Sequence, residues 1–116
     1  MNDNNSVVDF RKVSNMLDGD PAYLKEFCEA AVISFSTFKR DFKKHMLDRN
    51  LENLRKAGHR IKPVAQMMGV EQLNDEYEQA KIILQNNTSE KEIKASIKRV
   101  DLLCEQILSD FYEKID

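Results

Sequence analysis

The chain has 116 residues, of which 41% are hydrophobic and 33% charged, a balance that is ordinary for one soluble globular domain. No apolar run approaches the roughly 18 residues of a membrane helix. Residues 1–6 are polar rather than basic and then apolar, so we expect no export signal, and the net charge of −2 argues against a general nucleic-acid binder. Three Gly and two Pro leave few residues for turns, so we expect a mostly helical protein. Cys28 and Cys104 are too few for a disulfide framework, which favours a cytoplasmic protein. We expect no membrane or nucleic-acid partner.

Helical signals begin close to the N-terminus. Ser6 and Asp9 are spaced like a helix start, which predicts a short capping helix over about 6–17. Asp20 followed by Pro21 is typical of a capped helix start and predicts a second helix of roughly 27 residues. The apolar stripe of this second helix consists of Leu24, Phe27, Cys28, Ala31, Phe35, Phe38 and Phe42.

Three further helices are predicted in the second half of the chain. Asp48 or Asn50 caps the third helix, and Gly69 ends it. Residues 70–84 carry the apolar periodicity of a fourth helix. A capping-box spacing over residues 89–92 begins the last helix, which is long.

The connections between these helices are only a few residues long. Short links force neighbouring helices to run in opposite directions. We therefore predict one all-α domain over 1–116, an antiparallel four-helix bundle over about 20–115 with a short additional N-terminal helix. Because one chain supplies all four bundle helices, we expect a monomer.

Basic residues are concentrated in the middle of the chain. From Lys39 to Lys62 there are nine basic and three acidic residues, while the remainder of the chain is acidic. One side of the molecule is thus expected to present a positive field to an acidic partner or a phosphate. Ordinary solvated helix faces are an equal explanation for the run 39–44.

His59 stands apart from the apolar stripe of the third helix. The stripe passes through Gly58, so the imidazole is displaced toward solvent by about 100°. Arg55 and Lys62 lie one turn before and after it on the same face. A neutral imidazole is a competent nucleophile toward phosphorus, and nearby cations stabilise the transferred phosphoryl oxygens.

Two more residues of this helix are candidates for contact with phosphate or a partner. Gln66 follows His59 by two turns, and Lys56 belongs to the same basic segment. Gly58 has no side chain, which is expected to leave room for a bulky partner to approach the imidazole. No acidic cluster accompanies the two histidines of the chain, so no metal site is expected.

The run HRIKPVAQMMGV over residues 59–70 resembles the signature of histidine phosphotransfer (HPt) domains. His59, Lys62 and Gly69 match the positions of the phosphoacceptor, the lysine three residues later and the glycine ten residues later. The resemblance implies an antiparallel four-helix bundle that is phosphorylated on a ring nitrogen of His59. It also implies that receiver domains of response regulators and hybrid histidine kinases, loaded with Mg²⁺, are the donors and acceptors.

The chain departs from the family pattern at two positions. Gly58 stands where the family usually has Ala, and Pro63 stands where it commonly has Gly. Pro63 has no N–H to donate to the carbonyl of His59, and its ring crowds that carbonyl. We therefore predict a mild bend in the helix and phosphotransfer that is altered in degree rather than abolished.

Other functions are less well supported by the sequence. A docking bundle that binds a receiver without transferring phosphate is the first alternative, and Pro63 favours it. A phosphoacceptor fragment of a histidine kinase is the second, but it would need a dimer. The chain has no Gly-rich phosphate loop, so we expect a phosphocarrier without kinase activity of its own.

Overall fold

The computed structural model describes residues 6–115, so the polar residues 1–5 and Asp116, which we included in the predicted domain, lie outside the described residues. Within that range the secondary structure is entirely helical. The five helices are α1 (Phe10–Met16), α2 (Pro21–Leu47), α3 (Leu51–Met67), α4 (Glu71–Gln85) and α5 (Glu90–Ile115). The predicted all-α fold is confirmed.

Local capping interactions explain where the helices begin. The Asp20 side chain accepts the N–H groups of Ala22 and Tyr23 ahead of α2, and Asn50, rather than Asp48, accepts the N–H of Asn53 ahead of α3. Each of these side chains satisfies a backbone donor that has no partner within the helix.

The ends of the helices are marked by left-handed residues. Asp18 and Gly19 follow α1 with φ 54° and 72°, Arg49 follows α2 with φ 53°, Gly69 follows α3 with φ 70° and Asn87 follows α4 with φ 50°. A left-handed residue just after a helix is a common way to terminate it. The predicted helix stop at Gly69 is confirmed.

Helices α2 to α5 form a four-membered ring in which α2 contacts α3 and α5, and α4 contacts α3 and α5. The pair between Lys39 and Glu105 joins the antiparallel helices α2 and α5, and the pair between Arg99 and Glu76 joins α4 and α5. The fold is therefore the predicted antiparallel bundle, with dimensions of 46 × 25 × 19 Å.

The predicted start of the first helix is wrong. Asp9, not Ser6, caps α1, and the helix begins at Phe10. The N–H groups of Val7 and Val8 donate to Oδ2 of Asp110 on α5, at 2.7 and 3.1 Å, which anchors the segment before α1 to the bundle. Asp9 takes the capping role because its Oδ1 accepts the N–H of Lys12 in the first turn of α1.

α1 closes one end of the bundle. The ring of Phe10 packs edge-on against Phe111 of α5 at 5.8 Å between centroids, and Phe111 stacks on Phe35 of α2 at 5.9 Å. The N–H of Asp9 donates to the carbonyl of Met68 at 2.9 Å. These contacts tie the start of α1 to the C-terminal ends of α3 and α5. None of the helices in the described range 6–115 combines the length and the apolar content of a membrane span.

Candidate functional site

His59 is the central residue of the 17-residue helix α3, and its side chain is exposed. The residues on the opposite side of the helix, among them Leu54, Ile61 and Ala65, are buried in the bundle core. Packing of this apolar stripe fixes the rotation of α3 about its axis, and the same rotation directs the imidazole outward. His59 is therefore exposed, as predicted, because the packing of the core determines which face of α3 is in contact with solvent.

Two cations bracket the imidazole along the helix. Arg55 and Lys62 are both exposed, and in an α-helix residues three or four apart have Cβ atoms about 5–6 Å from each other. Neither side chain forms an ion pair or hydrogen bond with any residue from 6 to 115. Both positive charges are consequently available to an anion bound at His59.

Lys56 is a further cation near His59, and its surroundings differ from those of Lys62. Its ammonium lies 3.8 Å from a carboxylate oxygen of Glu52 one turn earlier, and both side chains are largely exposed. A surface pair of this kind contributes little to stability and exchanges readily with other partners. Lys56 is therefore accessible, although part of its charge is compensated by Glu52.

Gln66 lies two turns beyond His59, and the structure adds a neighbour that the sequence did not indicate. The Gln66 side chain is exposed, and its backbone carbonyl accepts a hydrogen bond of 2.8 Å from the ammonium of Lys12. Lys12 belongs to α1, so a further positive charge lies at the C-terminal end of α3. A cation is favourable there because the helix dipole is negative at that end.

Gly58 does not have the role that we expected from the sequence. It is buried, and a Cβ at this position would overlap the ring of Tyr77 on α4. The absence of a side chain makes room for this aromatic ring inside the bundle rather than for a partner outside it. The interpretation of Gly58 as an access position is corrected accordingly.

Tyr77 of α4 lies beside the His59 turn, which its place on the apolar stripe of the fourth helix did not indicate. Only 4% of it is exposed, and its hydroxyl donates a long hydrogen bond of 3.4 Å to the backbone carbonyl of Arg55. Burial raises the pKa of the Tyr77 hydroxyl, against the opposing effect of Lys81, whose ammonium lies 4.8 Å from the ring centroid. The hydroxyl therefore stays protonated at neutral pH and acts as a donor.

Pro63 lies inside α3, on its exposed side, and the helix continues through it to Met67. Since proline has no N–H, the carbonyl of His59 lacks the hydrogen bond that residue 63 would normally donate. The helix is thus less constrained on the C-terminal side of His59. The bend that we expect at this position stays a prediction.

Gly69 contributes more than a helix stop. It has φ 70°, and a Cβ at this position would lie 3.1 Å from Cβ of Asp9, which is closer than ordinary van der Waals contact. The turn after α3 can therefore pass close to the start of α1. The glycine is required by the backbone conformation and by this approach together.

A shallow groove of about 210 Å³ runs between α2 and α3. Its walls include the apolar Ile33 and Phe38 of α2, and two residues of opposite charge, Asp41 of α2 and Arg60 of α3. Ile33 is 69% exposed at its edge. Arg60, which lines the groove, directly follows His59 on α3, so the groove lies beside the exposed face of α3 that carries His59.

The basic residues of the middle segment do not share one side of the molecule. Lys39 pairs with Glu105 at the contact between α2 and α5, and the guanidinium of Arg49 donates to Asn87 and to the carbonyl of Thr88 at one end of the bundle. The positive charge near His59 comes mainly from α3. The single basic face expected from the sequence is therefore divided.

Neither cysteine belongs to this site. Cys28 and Cys104 are both free and buried, in line with their positions on the apolar stripes. Among residues 6–115, no group of three or more His, Cys, Asp or Glu side chains is arranged to hold a metal ion.

At a significant level the chain matches no protein-family model, no curated protein and no solved structure. The function is therefore inferred from the chemistry of the chain's own residues, above all those around His59. That surface combines an exposed nucleophile with neighbouring positive charge.

Proposed function

We propose that this chain is a histidine phosphotransfer protein, in which His59 relays a phosphoryl group between the aspartates of receiver domains. The observation that carries the proposal is an exposed histidine at the centre of a bundle helix, with Arg55 and Lys62, which pair with no residue from 6 to 115, one turn away on either side. Phosphoryl transfer depends mainly on positioning and on stabilising negative charge. The site supplies a nucleophile and two of the charges that this chemistry uses.

Each transfer consists of one substitution at phosphorus. A ring nitrogen of neutral His59 attacks the phosphorus of an aspartyl phosphate, an N–P bond forms, and the P–O bond to the aspartate breaks as its carboxylate leaves. The ring then loses its remaining N–H proton to water. In the second transfer the carboxylate of another receiver attacks phosphorus, the N–P bond breaks, and the imidazole takes a proton back from water.

The proposed partners are receiver domains of response regulators and hybrid histidine kinases. Their acidic, Mg²⁺-loaded sites would supply the metal, while Lys62 and Arg55 on α3 would attract the carboxylates and the phosphate. Lys56 and Gln66 extend the same exposed surface along the helix. The protein would act as a monomeric cytoplasmic phosphocarrier without kinase activity of its own.

The test uses the two histidines of the chain as a matched pair. Purified wild type, His59→Gln and His45→Gln are incubated with receiver domains of the source organism that carry labelled aspartyl phosphate. We expect wild type and His45→Gln to acquire a label that is stable to alkali and labile to acid, as phosphohistidine is, and His59→Gln to acquire none. Equal labelling of His59→Gln, or no labelling of wild type by any receiver, would contradict the proposal.

A second candidate function is receiver docking without transfer. Pro63 favours it, because the proline ring lies one turn beyond His59, on the exposed side of α3, where a phosphorylated receiver would approach. In the same experiment, docking alone predicts that a receiver binds wild type and His59→Gln with equal affinity while neither protein becomes labelled. Labelling of wild type excludes this candidate.

A further inference from the structure

The α3 turn that carries His59 is weakened by its own sequence. Gly58 precedes the histidine, and glycine in a helix costs about 1 kcal/mol relative to alanine. Pro63 follows it and leaves the carbonyl of His59 without its helical donor. A turn with both features needs support from outside the helix if the imidazole is to keep a fixed position.

Tyr77 of α4 supplies contacts to this turn from the core side. Its ring occupies the space that a side chain of residue 58 would fill, so it lies directly against the α3 backbone next to His59. Its hydroxyl reaches the carbonyl of Arg55, one turn before His59, at 3.4 Å. This distance is long for an O–H···O hydrogen bond, so most of the support comes from packing of the ring.

We propose that Tyr77 is a positioning residue for phosphoryl transfer: its ring, packed against Gly58, holds the His59 turn of α3 in place. This inference rests on the proposed function of His59. Tyr77 is buried and has no access to a phosphoryl group or a receiver. Its effect is therefore on the rate of the chemical step and not on the binding of the receiver.

Gly58 and Tyr77 are coupled by this packing. In the wild-type background, Gly58→Ala forces its new methyl group into the Tyr77 ring and lowers the free energy of unfolding. In the Tyr77→Leu background the overlapping ring atoms are gone, so the same substitution should cost little or stabilise α3. A double-mutant cycle measured by urea unfolding tests this. Equal effects of Gly58→Ala in the two backgrounds would refute the coupling.

Transfer kinetics separate positioning from docking. We expect Tyr77→Leu to lower the maximal rate of transfer from a phosphorylated receiver roughly tenfold or more, since small misplacements of a reacting group have effects of this size. The receiver concentration at half-maximal rate should not change. Tyr77→Phe, which retains the ring, should transfer within about twofold of wild type. A rate for Tyr77→Leu equal to that of wild type would overturn the inference.

Phe111→Leu is the control for a general loss of stability. Phe111 is fully buried on α5 and packs against Phe10 and Phe35, at the end of the bundle that α1 closes. Its truncation also leaves a cavity in the core and destabilises the fold, but it does not touch the His59 turn. If Phe111→Leu slows transfer as much as Tyr77→Leu does, the role of Tyr77 is only structural and the inference fails.

Hydrogen exchange distinguishes failure of the inference from failure of the proposed function. In Tyr77→Leu we expect faster amide exchange in residues 58–62, with smaller changes in α2 and α5, because local opening reports local loss of support. This readout needs no phosphate donor. If wild type accepts no phosphate but exchange rises at 58–62, the proposed function fails while the support by Tyr77 stands. Unchanged exchange at 58–62 would overturn the inference.

Discussion

Gly19 and Gly69 have nearly the same left-handed backbone but different surroundings. Their φ angles are 72° and 70°. A Cβ at Gly19 would have no heavy atom within 4 Å, whereas a Cβ at Gly69 would lie 3.1 Å from Cβ of Asp9. Glycine at position 19 is therefore required only by the backbone conformation. Glycine at position 69 is required both by the backbone conformation and by the close packing of α1 on α3.

This difference predicts the relative cost of two alanine substitutions. Gly19→Ala should lower the free energy of unfolding by about 1–2 kcal/mol, the usual cost of a left-handed non-glycine residue. Gly69→Ala should cost more, because Asp9 must also move. Urea unfolding of the two variants measures both values. Equal costs would mean that the Asp9 contact adds nothing.

At the scale of elements, the two prolines occupy opposite kinds of position. Pro21 is in the first turn of α2, where its N–H would have no helical partner. Pro63 is in the interior of α3, where a helical hydrogen bond is lost. One proline is thus compatible with its helix, and the other weakens it next to the proposed phosphoacceptor.

We expect Pro63→Ala to raise the free energy of unfolding by about 1–3 kcal/mol, because the new N–H can donate to the His59 carbonyl and alanine favours the helix. Pro21→Ala is the matched control and should change stability little, since no hydrogen bond is restored. Thermal or urea unfolding measures both variants. A gain for Pro63→Ala no greater than that for Pro21→Ala would show that α3 has adapted to its proline.

At the scale of the whole molecule, the bundle buries an ionisable thiol in its core. The pKa of Cys104 is raised from 9.0 to about 12, chiefly by burial and to a smaller extent by the neighbouring Asp101, while Lys39 opposes the shift. The folded protein therefore keeps this proton at a pH where the unfolded chain has lost it. When the unfolded state binds fewer protons than the folded state, stability falls as pH rises.

The free energy of unfolding should therefore decrease between about pH 9 and about pH 12, with Cys104 contributing about 1.4 kcal/mol per pH unit. Below the ordinary pKa of the thiol this contribution is constant. Urea unfolding across this pH range tests the prediction, with Cys104→Ala as the comparison. The variant should show a shallower decrease, and identical slopes would exclude Cys104 as a source of the pH dependence.

The fold was largely predictable because its signals are local. The caps at Asp20 and Asn50 and the stop at Gly69 act within a few residues of chain, and periodicity of the apolar residues identifies the buried face of each helix. The exposure of His59 follows from the same periodicity. The start of α1 was mispredicted because Asp9, three residues after Ser6, is also a good capping residue and caps the helix instead.

The candidate site was predictable only along α3 itself. Arg55, Lys62 and Gln66 share the exposed face of His59 because helix geometry alone places them there. The contribution of Tyr77 was not predictable, since nothing local to residue 77 indicates that it packs on Gly58. The placement of Lys12 at the end of α3 likewise depends on how α1 docks.

By itself, then, the sequence determined the five helices, their antiparallel order and the outward direction of His59, since caps, turns and apolar periodicity are properties of neighbouring residues. Only the tertiary structure decided that Gly58 admits the Tyr77 ring, that Gly69 meets Asp9 and that Asp110 binds the N–H groups of Val7 and Val8 ahead of α1. The physical reason is that these contacts join residues far apart in the chain. Side-chain shape and free hydrogen-bond donors select them only after the helices have packed.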